Sequence, residues 1–425
     1  MASRSSLLVD LGTTYIKVAV LLPDEGVVAE KKFRFPPFAS LDGPYRTVNP
    51  TDVLAATEIA IASALPEAKN PQRILLSGQM HGWILTDENN TPLTPLATWQ
   101  DNRAHLIRNG IRPIDELRST QPPPLWEAVG NELRSGLPVA GVYASDLTAL
   151  DDHFRLHSLL SWVASALTRN PSFVQHSSDA AASGMFDLKT SSWSEPITTV
   201  VGNNRMMLPK VSPTLDVIGI HSSTGASVFT PVGDQQATLL GAGLRESITA
   251  FNISSGGQVA RLATEHAGNR AQTRPYFDGL LLHTQTHLPA GRALTHGIAL
   301  LSRGIADDEA WHWAAKAAKE HTTRVLPEAN LTFHGSTGGG WSGITDAHTS
   351  EDLVRALITN MSTAYVAGAT DVGLRPGDAL LFCGGVAQRF APLRTAIASA
   401  LGRSYQVAPD GDMALRGLAF LASSV

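Results

Sequence analysis

The apolar segment Ser6 to Val9 runs into Asp10-Leu11-Gly12-Thr13-Thr14 and resumes as Ile16 to Leu22. A polar turn with glycine and two hydroxyls between apolar runs predicts a β-hairpin that opens a sheet. Such a turn presents backbone N–H groups and hydroxyls to an anion, and the carboxylate before it can hold Mg²⁺ through water. The stretch therefore predicts either a site for a metal-bound polyphosphate or a plain hairpin turn.

A similar pattern recurs in the second half of the chain. Thr249 to Ile253, then Ser254-Ser255-Gly256-Gly257, then Gln258 to Leu262 predict a strand, a small-residue turn and a strand. We interpret the recurrence as an internal duplication. Two such loops could clamp phosphates from two sides, which phosphoryl transfer requires. Lys17, beside the first loop, is either a phosphate contact or a solvated side chain.

Length and composition indicate a globular protein that acts on a small partner. A chain of 425 residues exceeds what one hydrophobic core usually organises, so we expect two domains with a cleft between them. The net charge of −5 without a run of like charges gives no basis for binding nucleic acid or a membrane surface. A single cysteine, Cys383, and the absence of a long apolar run favour a cytoplasmic protein.

Strand and helix patterns alternate along the chain, which predicts an α/β domain with a mixed sheet. The predicted helices are residues 52–65, 156–167, 234–240, 351–372, 392–401 and 413–422. The predicted strands outside the two hairpins are residues 73–77, 84–87, 228–231 and 380–383. Residues 104–150 are rich in proline, glycine and polar residues, so we expect loops and short helices there.

Three polar segments are candidates for chemistry. Asp234, at the start of a predicted helix, is either a general base or an ordinary capping residue. Gln79-Met80-His81 and Trp99-Gln100-Asp101-Asn102-Arg103 combine directional hydrogen-bonding groups with a flat apolar face, as sugar sites do. A structural role for His81 is the alternative.

Several enzyme classes lack their motifs. The sequence contains no Walker A, HExxH, CxxC or GxSxG pattern. Gly338 to Gly343 matches GxGxxG, but Leu331 to Phe333 and His334 before it make a poor strand, so a dinucleotide-binding fold is not expected.

In order along the chain, these segments resemble the motifs of the FGGY carbohydrate kinases, which belong to the actin-like ATPase superfamily. Residues 9–17 resemble the first phosphate motif, residues 77–82 the sugar-site segment of xylulose and sedoheptulose kinases, and residues 233–237 the segment with the catalytic aspartate. Residues 252–259 and 382–388 resemble the second phosphate motif and the adenosine motif. Residues 98–103, 179–187 and 274–277 are most similar to sedoheptulokinases, with xylulokinases next.

This resemblance implies two actin-like, ribonuclease H-like domains, each with a mixed central sheet, and an interdomain cleft. Residues 1–243 would form the sugar-binding domain and residues 244–425 the nucleotide-binding domain. The implied reaction is ATP- and Mg²⁺-dependent phosphorylation of a ketose, sedoheptulose-like, with xylulose or a related pentulose or polyol as the alternative. The implied roles are Asp234 as general base; Asp10 on the Mg²⁺ side; Gln79, Met80, His81, Trp99, Asp101 and Arg103 at the sugar; and Gly12, Thr13, Thr14, Lys17, Ser254, Ser255, Gly256, Gly384, Gly385 and Gln388 at the nucleotide.

The sequence departs from the family in the second loop, which has Ser-Ser-Gly-Gly where Gly-Thr-Ser-Gly is more frequent, and in a shortened region around Gly338. A non-catalytic sugar or nucleotide sensor and a chaperone-like ATPase are the alternative functions. Retention of Asp10 and Asp234 argues against the first, and the two sugar-site segments argue against the second. The expected partner is a small sugar, and a homodimer is compatible with the sequence.

Overall fold

The computed structural model describes residues 5–39, 43–150, 153–169, 171–320, 322–332 and 338–425. The chain divides into two compact units. The first contains residues 1–242, 274–281 and 411–425, and the second contains residues 243–273 and 282–410.

The described strands are short to medium in length and follow one another from the N-terminus. They are β1 (Ser6–Leu11), β2 (Tyr15–Leu22), β3 (Gly26–Arg34), β4 (Thr47–Val48), β5 (Arg73–Gly78), β6 (Trp83–Thr86), β7 (Leu96–Ala97), β8 (Phe154–Ser158), β9 (Thr168–Arg169), β10 (Val174–His176), β11 (Phe186–Asp187), β12 (Ser192–Trp193), β13 (Met206–Met207), β14 (Lys210–Ser212), β15 (Val217–His221), β16 (Ser227–Phe229), β17 (Val232–Gly233), β18 (Ile248–Ile253), β19 (Gly257–Ala263), β20 (Gln272–Pro275), β21 (Leu281–Leu288), β22 (Glu328–Asn330), β23 (Gly340–Ser342), β24 (Ala379–Cys383) and β25 (Tyr405–Val407).

Helices separate the strands in both units. They are α1 (Pro50–Ala68), α2 (Pro113–Thr120), α3 (Pro123–Ala128), α4 (Pro138–Tyr143), α5 (Leu159–Ala166), α6 (Ser177–Ala181), α7 (Glu195–Gly202), α8 (Asp234–Ala242), α9 (Gly291–Leu301), α10 (Asp307–Lys319), α11 (Ser350–Asp371), α12 (Gly385–Arg389), α13 (Ala391–Ala400) and α14 (Met413–Ser423), with 3₁₀ turns at Arg103–His105 and Phe277–Gly279.

The first unit is built on a mixed sheet with the strand order β3-β2-β1-β5-β16-β15-β9, and β17 also pairs with β5. β1 is antiparallel to β2 and parallel to β5, so the predicted hairpin forms and borders a parallel strand. A smaller sheet has the order β13-β8-β6-β7-β4. The loops after β1 and β5 leave the same edge of the sheet, because the carboxyl ends of parallel neighbours coincide.

The second unit contains a sheet with the order β20-β21-β19-β18-β24-β25. β18 is antiparallel to β19 and parallel to β24. Each unit therefore contains a hairpin beside a parallel strand, which is the arrangement that the recurring sequence pattern predicts.

Each sheet packs helices against buried apolar side chains. In the first unit the α1 face packs on β1, β2 and β5 through residues such as Val53, Ile61 and Leu76. In the second unit α11 contributes Leu357, Met361 and others to a core with Phe251 and Phe382. These helical positions recur at the spacing of one α-helical face, as the sequence predicted.

One predicted helix begins later than expected. Leu156 to Ser158 belong to β8, which pairs with β6, and α5 begins only at Leu159. The reason is a capping box: Ser158 Oγ accepts a hydrogen bond from Ser161 N, and Ser161 Oγ accepts one from Ser158 N. An apolar run such as this one does not by itself distinguish a buried strand from a helix.

The observed units differ from a single division at residue 243. Residues 274–281 and 411–425 belong to the first unit although they follow that position in the sequence. The reason for the second segment is that α14 packs on α8, where Gly417 lies against the backbone of Ala237. Around Gly340 the chain forms β23, paired with β22, and no dinucleotide-binding turn; Phe333 and His334 lie outside the described residues.

Candidate active site

The first polar cluster forms across three neighbouring strands. Asp10 on β1 faces Lys17 on β2 and Ser77 on β5 in the strand register. Lys17 Nζ lies 3.0 Å from Asp10 Oδ2, and Ser77 Oγ donates to Asp10 Oδ1 at 2.9 Å. Burial raises the pKa of the Asp10 carboxyl, Lys17 opposes this shift, and Asp412 adds to it.

Lys17 contacts two carboxylates. Its second partner is Asp412, at 2.7 Å, which also caps α14 by accepting hydrogen bonds from the backbone N–H groups of Ala414 and Leu415. Burial lowers the pKa of Lys17, but Asp10 and Asp412 outweigh it and the net pKa is raised, so the ammonium stays charged. The sequence did not single out Asp412, because a helix-capping aspartate is an ordinary feature.

The loop after β1 has an exposed pair of hydroxyls, on Thr13 and Thr14. Gly12 N–H donates to the Tyr15 carbonyl at 3.0 Å, and a Cβ at Gly12 would lie 3.0 Å from the same oxygen. Trp99 Nε1–H donates to Thr13 Oγ1 at 3.1 Å. The structure therefore places Trp99, a predicted sugar contact, against the predicted phosphate loop.

Asp234 is the first residue of α8 and follows β17, which pairs with β5. Burial and, to a smaller extent, the charge of Asp10 raise the pKa of its carboxyl to about 7, against the lowering effects of the Gln235 backbone and the charges of Arg274 and Lys17. This mutual influence places Asp10, Lys17 and Asp234 in one electrostatic cluster. A carboxyl with such a pKa can exchange a proton near neutral pH.

The segment after β5 points polar groups toward the same region. Gln79 N–H donates to the Leu11 carbonyl at 2.9 Å, and Gln79 Nε2 lies 3.5 Å from the Gly12 carbonyl. Among the described residues, no hydrogen-bond partner exists for the buried Gln79 Oε1. Met80 Sδ lies 3.7 Å from an Arg274 guanidinium nitrogen. An unpaired amide oxygen in a buried position suits a ligand hydroxyl.

His81 adopts a backbone conformation that is rare outside glycine, with φ of 69°. Its Nδ1 lies 2.7 Å from the Ala182 carbonyl, so Nδ1 carries the proton and Nε2 is left as the acceptor. Burial lowers the pKa of His81 to about 3, with Arg134 and Arg274 lowering it and Glu132 raising it. The imidazole is therefore neutral and can accept a hydrogen bond from a hydroxyl.

A buried ionic network surrounds His81. Glu132 pairs with Arg134 at 2.8 Å and with Arg274 at 2.6 Å, and its carboxylate lies 4.0 Å from His81 Nε2. Arg274 also donates to Gln235 Oε1, beside Asp234, at 3.0 Å. Sequence patterns did not indicate this network. Glu132 and Arg134 lie within residues 104–150, where we expected loops and short helices, and Arg274 belongs to residues 274–277, which resemble a sedoheptulokinase segment.

Asp101 and Arg103 bind each other. Arg103 Nε and Nη2 donate to the two carboxylate oxygens of Asp101 at 2.8 and 3.0 Å, and Arg46 N donates to Oδ2 at 3.0 Å. The Arg103 guanidinium also lies over the Trp83 ring at 4.9 Å. Both Asp101 oxygens therefore accept hydrogen bonds from protein groups.

In the second unit, the loop after β18 holds Ser254, Ser255 and Gly256, with the last two exposed. Gly384, with φ of 91°, follows β24, and a Cβ there would lie 2.5 Å from Ser254 Oγ. Gly385 then begins α12. The predicted nucleotide residues from the two motifs are therefore adjacent in this unit.

A cavity of about 480 Å³ opens beside this loop, lined by Ser254, Ser255, Arg292, Thr295 and His296 among others. Arg292, which sequence patterns did not indicate, adds a cation to the serine hydroxyls. Gln388 turns away to donate to the Pro409 carbonyl at 3.2 Å.

Comparison with known proteins then identifies the family. Residues 6–138 match the model of the FGGY family of carbohydrate kinases, N-terminal domain. The chain is a carbohydrate kinase similar to the FGGY family. The gluconokinase of Bacillus subtilis strain 168 is 25% identical over 399 residues, which cover 84% of this chain and 76% of that protein. The xylulose kinase of Lactococcus lactis subsp. lactis is 22% identical, covering 83% and 74%.

Solved structures of FGGY kinases have the same fold. The gluconate kinase from Lactobacillus acidophilus superimposes with a TM-score of 0.86 at 15% identity, over 100% of this chain and 89% of that one. The xylulose kinase from Rhodospirillum rubrum gives 0.87 at 19% identity, over 99% and 89%. The predicted α/β class with two actin-like domains is confirmed. The predicted enzyme class, an ATP-dependent sugar kinase, is confirmed.

Within the described ranges we searched for a membrane-spanning helix and for a cluster of metal-binding side chains. No helix there is long and apolar enough to cross a membrane. No group of three or more histidine, cysteine or acidic side chains there could hold a metal ion by itself. A kinase Mg²⁺ is held chiefly by substrate phosphates, water and one or two carboxylates, so the buried Asp10 fits such an ion.

Proposed function

We propose that this kinase transfers the γ-phosphoryl group of ATP to a hydroxyl of a ketose, sedoheptulose-like, with Asp234 as general base. One observation carries the proposal: Asp234 begins α8 directly after β17, which pairs with β5, the strand that neighbours Asp10 on β1. Its pKa of about 7 supports the same role. A base with its pKa near the working pH combines enough deprotonated form with enough basicity.

Asp234 would accept the proton of the attacking hydroxyl while the new O–P bond forms. Lys17 and Arg274 favour the ionised carboxylate, and burial and Asp10 oppose it. This balance explains why the carboxyl is neither permanently ionised nor permanently neutral near pH 7. Phosphoryl transfer otherwise needs positioning and charge neutralisation more than covalent help.

Mg²⁺ is the metal that this proposal requires. When bound with ATP, it neutralises charge on the transferring phosphoryl group. Asp10 would hold it on the protein side, because the carboxylate is fixed by Ser77 and Lys17 at the end of β1. Lys17 would then keep the local charge balanced, a role distinct from the phosphate contact that we expected from the sequence.

We expect the phosphate and adenosine contacts at residues of the two phosphate motifs and the adenosine motif. In the first unit, Thr13 and Thr14 after Gly12 offer exposed hydroxyls. In the second, Ser254 and Ser255 line the cavity, and Gly256, Gly384 and Gly385 are their neighbours in the two loops. The side chain of Asn252 supports this site, because its Oδ1 is buried and has no partner in the described part of the chain. Gln388 would act by fixing the end of α12 to the Pro409 carbonyl.

The sugar would lie between Gln79, Met80, His81 and Asp234. Gln79 Oε1 and His81 Nε2 are both acceptors, so each suits a donating hydroxyl. Asp101 and Arg103 support this proposal indirectly, because their mutual pairing fixes the segment that carries Trp99. We infer that they are positioning residues.

The acceptor class is the finest part of the proposal. Similarity of residues 179–187 and 274–277 to sedoheptulokinases supports a ketose, with xylulose or a related pentulose or polyol as the alternative. Gluconate is a second candidate, because relatives of the chain are gluconokinases and because Arg134 and Arg274 outnumber Glu132 in the network beside His81. One excess positive charge suits a carboxylate-bearing acceptor.

The test is ATP consumption with sedoheptulose, xylulose, ribulose, fructose, polyols and gluconate. The proposal expects Mg²⁺-dependent ADP release with a ketose and negligible release without any acceptor. A clear preference for gluconate would overturn the ketose class but retain the kinase. Binding without turnover would indicate a sensor, and turnover independent of acceptor would indicate an ATPase. Cytoplasmic location and a homodimer stay predictions from the sequence.

A further inference from the structure

Helix α6 and Ala182, the residue after it, accept hydrogen bonds from His81 and from the residue before Asp234. Ser178 Oγ accepts a hydrogen bond of 3.2 Å from the backbone N–H of Gly233, the residue immediately before Asp234. The Ala182 carbonyl accepts one of 2.7 Å from His81 Nδ1. Because one short helix carries both acceptors, its position sets the base and the histidine together.

Ser178 is fixed on both sides. It is completely buried, and its Oγ lies 2.8 Å from His176 Nδ1. Burial lowers the pKa of His176 to about 4, so the ring is neutral. The backbone N–H of Ser178 donates to Nδ1 at 3.2 Å, so Nδ1 is the acceptor and the serine hydroxyl donates to it as well. The oxygen lone pairs of Ser178 then accept from Gly233. The hydroxyl therefore has one favoured orientation.

Asp179 ties α6 to the segment that follows His81. Its Oδ2 accepts hydrogen bonds from Ser158 Oγ at 2.5 Å and from Gln175 Nε2 at 2.8 Å, and it is only 2% exposed. Ser158 caps α5, whose first backbone N–H donates to the Gly82 carbonyl at 3.1 Å. His81 is consequently held from α6 on one side and from α5 on the other.

Two further observations indicate that this support is needed. The positive φ of His81 is unfavourable for a residue with a Cβ, so the conformation persists only if its surroundings fix it. Asp179 and His81 also line a small cavity of about 10 Å³, which is room for about one water molecule. Asp179 Oδ1 is buried and has no hydrogen-bond partner among the residues that the structure describes.

We propose that Ser178 and Asp179 are positioning residues for phosphoryl transfer, with Ser178 fixing the carboxylate of Asp234 and Asp179 fixing the imidazole of His81. The inference rests on the proposed function, in which Asp234 is the base and His81 a sugar contact. Neither residue touches the reacting atoms.

The experiment compares Ser178→Ala and Asp179→Asn with two matched controls, using the best acceptor from the substrate panel. Ser5→Ala also removes a buried hydroxyl with one backbone acceptor, and Asp378→Asn also changes a buried aspartate that accepts from a hydroxyl. Values of kcat, KM for acceptor, KM for ATP and the melting temperature are measured for each. Asp234→Asn is measured first, because its rate tests the proposed function itself.

Ser178→Ala should lower kcat at least about tenfold with KM for the acceptor changed less than about twofold, since small misplacements of a reacting group are costly. Asp179→Asn should raise KM for the acceptor about tenfold and leave KM for ATP unchanged. Values within twofold of the matched controls, or equal losses in every constant together with a lower melting temperature, would overturn the inference. An Asp234→Asn enzyme with full activity would instead overturn the proposed function.

Discussion

Asp234 shows how the surroundings of a single carboxyl decide what it can do. As a helix-starting aspartate in water it would be ionised at any physiological pH and serve as a cap. Burial and the neighbouring charge of Asp10 raise its pKa to about 7, against the opposing effect of Arg274 and Lys17. At this pKa the group changes protonation state within the range in which the enzyme would work.

Replacing Asp234 with asparagine should lower kcat by at least about 100-fold, because a general base typically contributes about 10²–10⁴ in rate. In the parent enzyme, kcat/KM should fall as the pH drops below about 7, since the base is then protonated. Steady-state kinetics across pH check both. Asp87→Asn, a change in an exposed turn, is the control. A mutant retaining a near-normal rate would exclude Asp234 as the base.

The same pKa has a consequence for stability. Because the folded pKa of about 7 lies above the ordinary value of 3.8, the folded chain binds more protons than the unfolded chain between these values, and stability falls as pH rises through them. Asp234→Asn should therefore melt at a higher temperature than the parent at about pH 8 and at nearly the same temperature at about pH 4. Calorimetry at the two pH values measures this difference. A mutant that melts lower at both would contradict the pKa.

Asp10→Asn should also reduce kcat, but part of the loss should return as Mg²⁺ is raised. The neutral amide binds the metal more weakly, and it removes the ion pair of Asp10 with Lys17 while the ion pair of Lys17 with Asp412 stays. Titrating Mg²⁺ at fixed ATP measures the recovery, with Asp234→Asn as the comparison that should not recover. If the rate of Asp10→Asn is insensitive to Mg²⁺, Asp10 has a different role.

Functional residues were predictable from the sequence where they stand in one local segment. Functional residues that only the fold brings together were not. Asp10, Asp234 and the segment Gln79 to His81 stand in local patterns with recognisable chemistry. Glu132 and Arg274 are 142 residues apart, and nothing in either local pattern indicates that they form an ion pair. Asp101 and Arg103 were predicted as a polar cluster, but their bonding to each other depends on side-chain geometry.

At the scale of elements, helices α8 and α14 each begin with a carboxylate of the Asp10 cluster. Asp234 starts α8, and Asp412 caps α14. Small residues let the two helices approach. A Cβ at Gly241 would lie 1.9 Å from the Met413 carbonyl, and one at Gly417 would lie 2.0 Å from the Ala237 carbonyl. The helix contact therefore helps to set the spacing of the two carboxylates.

Gly241→Ala should lower the free energy of unfolding by roughly 1–3 kcal/mol, because the clash is with backbone atoms that cannot rotate away. It should also lower kcat, since the helix carrying Asp234 must shift. Gly377→Ala is the control, because a Cβ there meets nothing within 4 Å. Chemical denaturation and a rate assay measure both effects. Equal stability of the two variants would show that the helices can separate without cost.

Element boundaries were predictable where the sequence carries a marker. The helix from residue 351 has a threonine and an aspartate that form its capping box, and its predicted and observed limits agree closely. Leu156 to Leu167 is apolar throughout, so the change from β8 to α5 depends on pairing with β6, a tertiary contact that periodicity does not report.

For the whole molecule, the predicted acceptor residues belong to the first unit and the predicted adenosine-side residues to the second. Each has a hairpin beside a parallel strand, and each places small or hydroxyl residues in the hairpin loop. His81 and Asp234 belong to the first unit, and Ser254 and Gly384 to the second. Substitutions at His81 and at Gly384 should therefore change the affinities for acceptor and for ATP separately.

His81→Ala should weaken acceptor binding by roughly 1.5–3 kcal/mol and leave ATP affinity without acceptor unchanged. Gly384→Ala should weaken ATP binding and leave acceptor affinity unchanged. The φ of 91° is unfavourable for alanine, and the added Cβ would lie 2.5 Å from Ser254 Oγ, so the loop must move. Gly373→Ala is the control, with a φ of 81° but nothing within 4 Å of the added Cβ. Calorimetric titrations with each ligand decide the matter. Equal losses of both affinities in either variant would mean that these residues support the fold alone.

Residues 411–425 belong to the first unit although the ribosome makes them after the whole of the second unit. During synthesis, the first unit consequently stays without α14 while the whole of the second unit emerges, and the surface of α8 that α14 covers is exposed to solvent for that time. Lys17 likewise lacks Asp412 until these residues have left the exit tunnel. The first unit is thus begun before the second and completed after it, so the contacts of Lys17 with Asp412 and of α8 with α14 form only once the second unit has been synthesised.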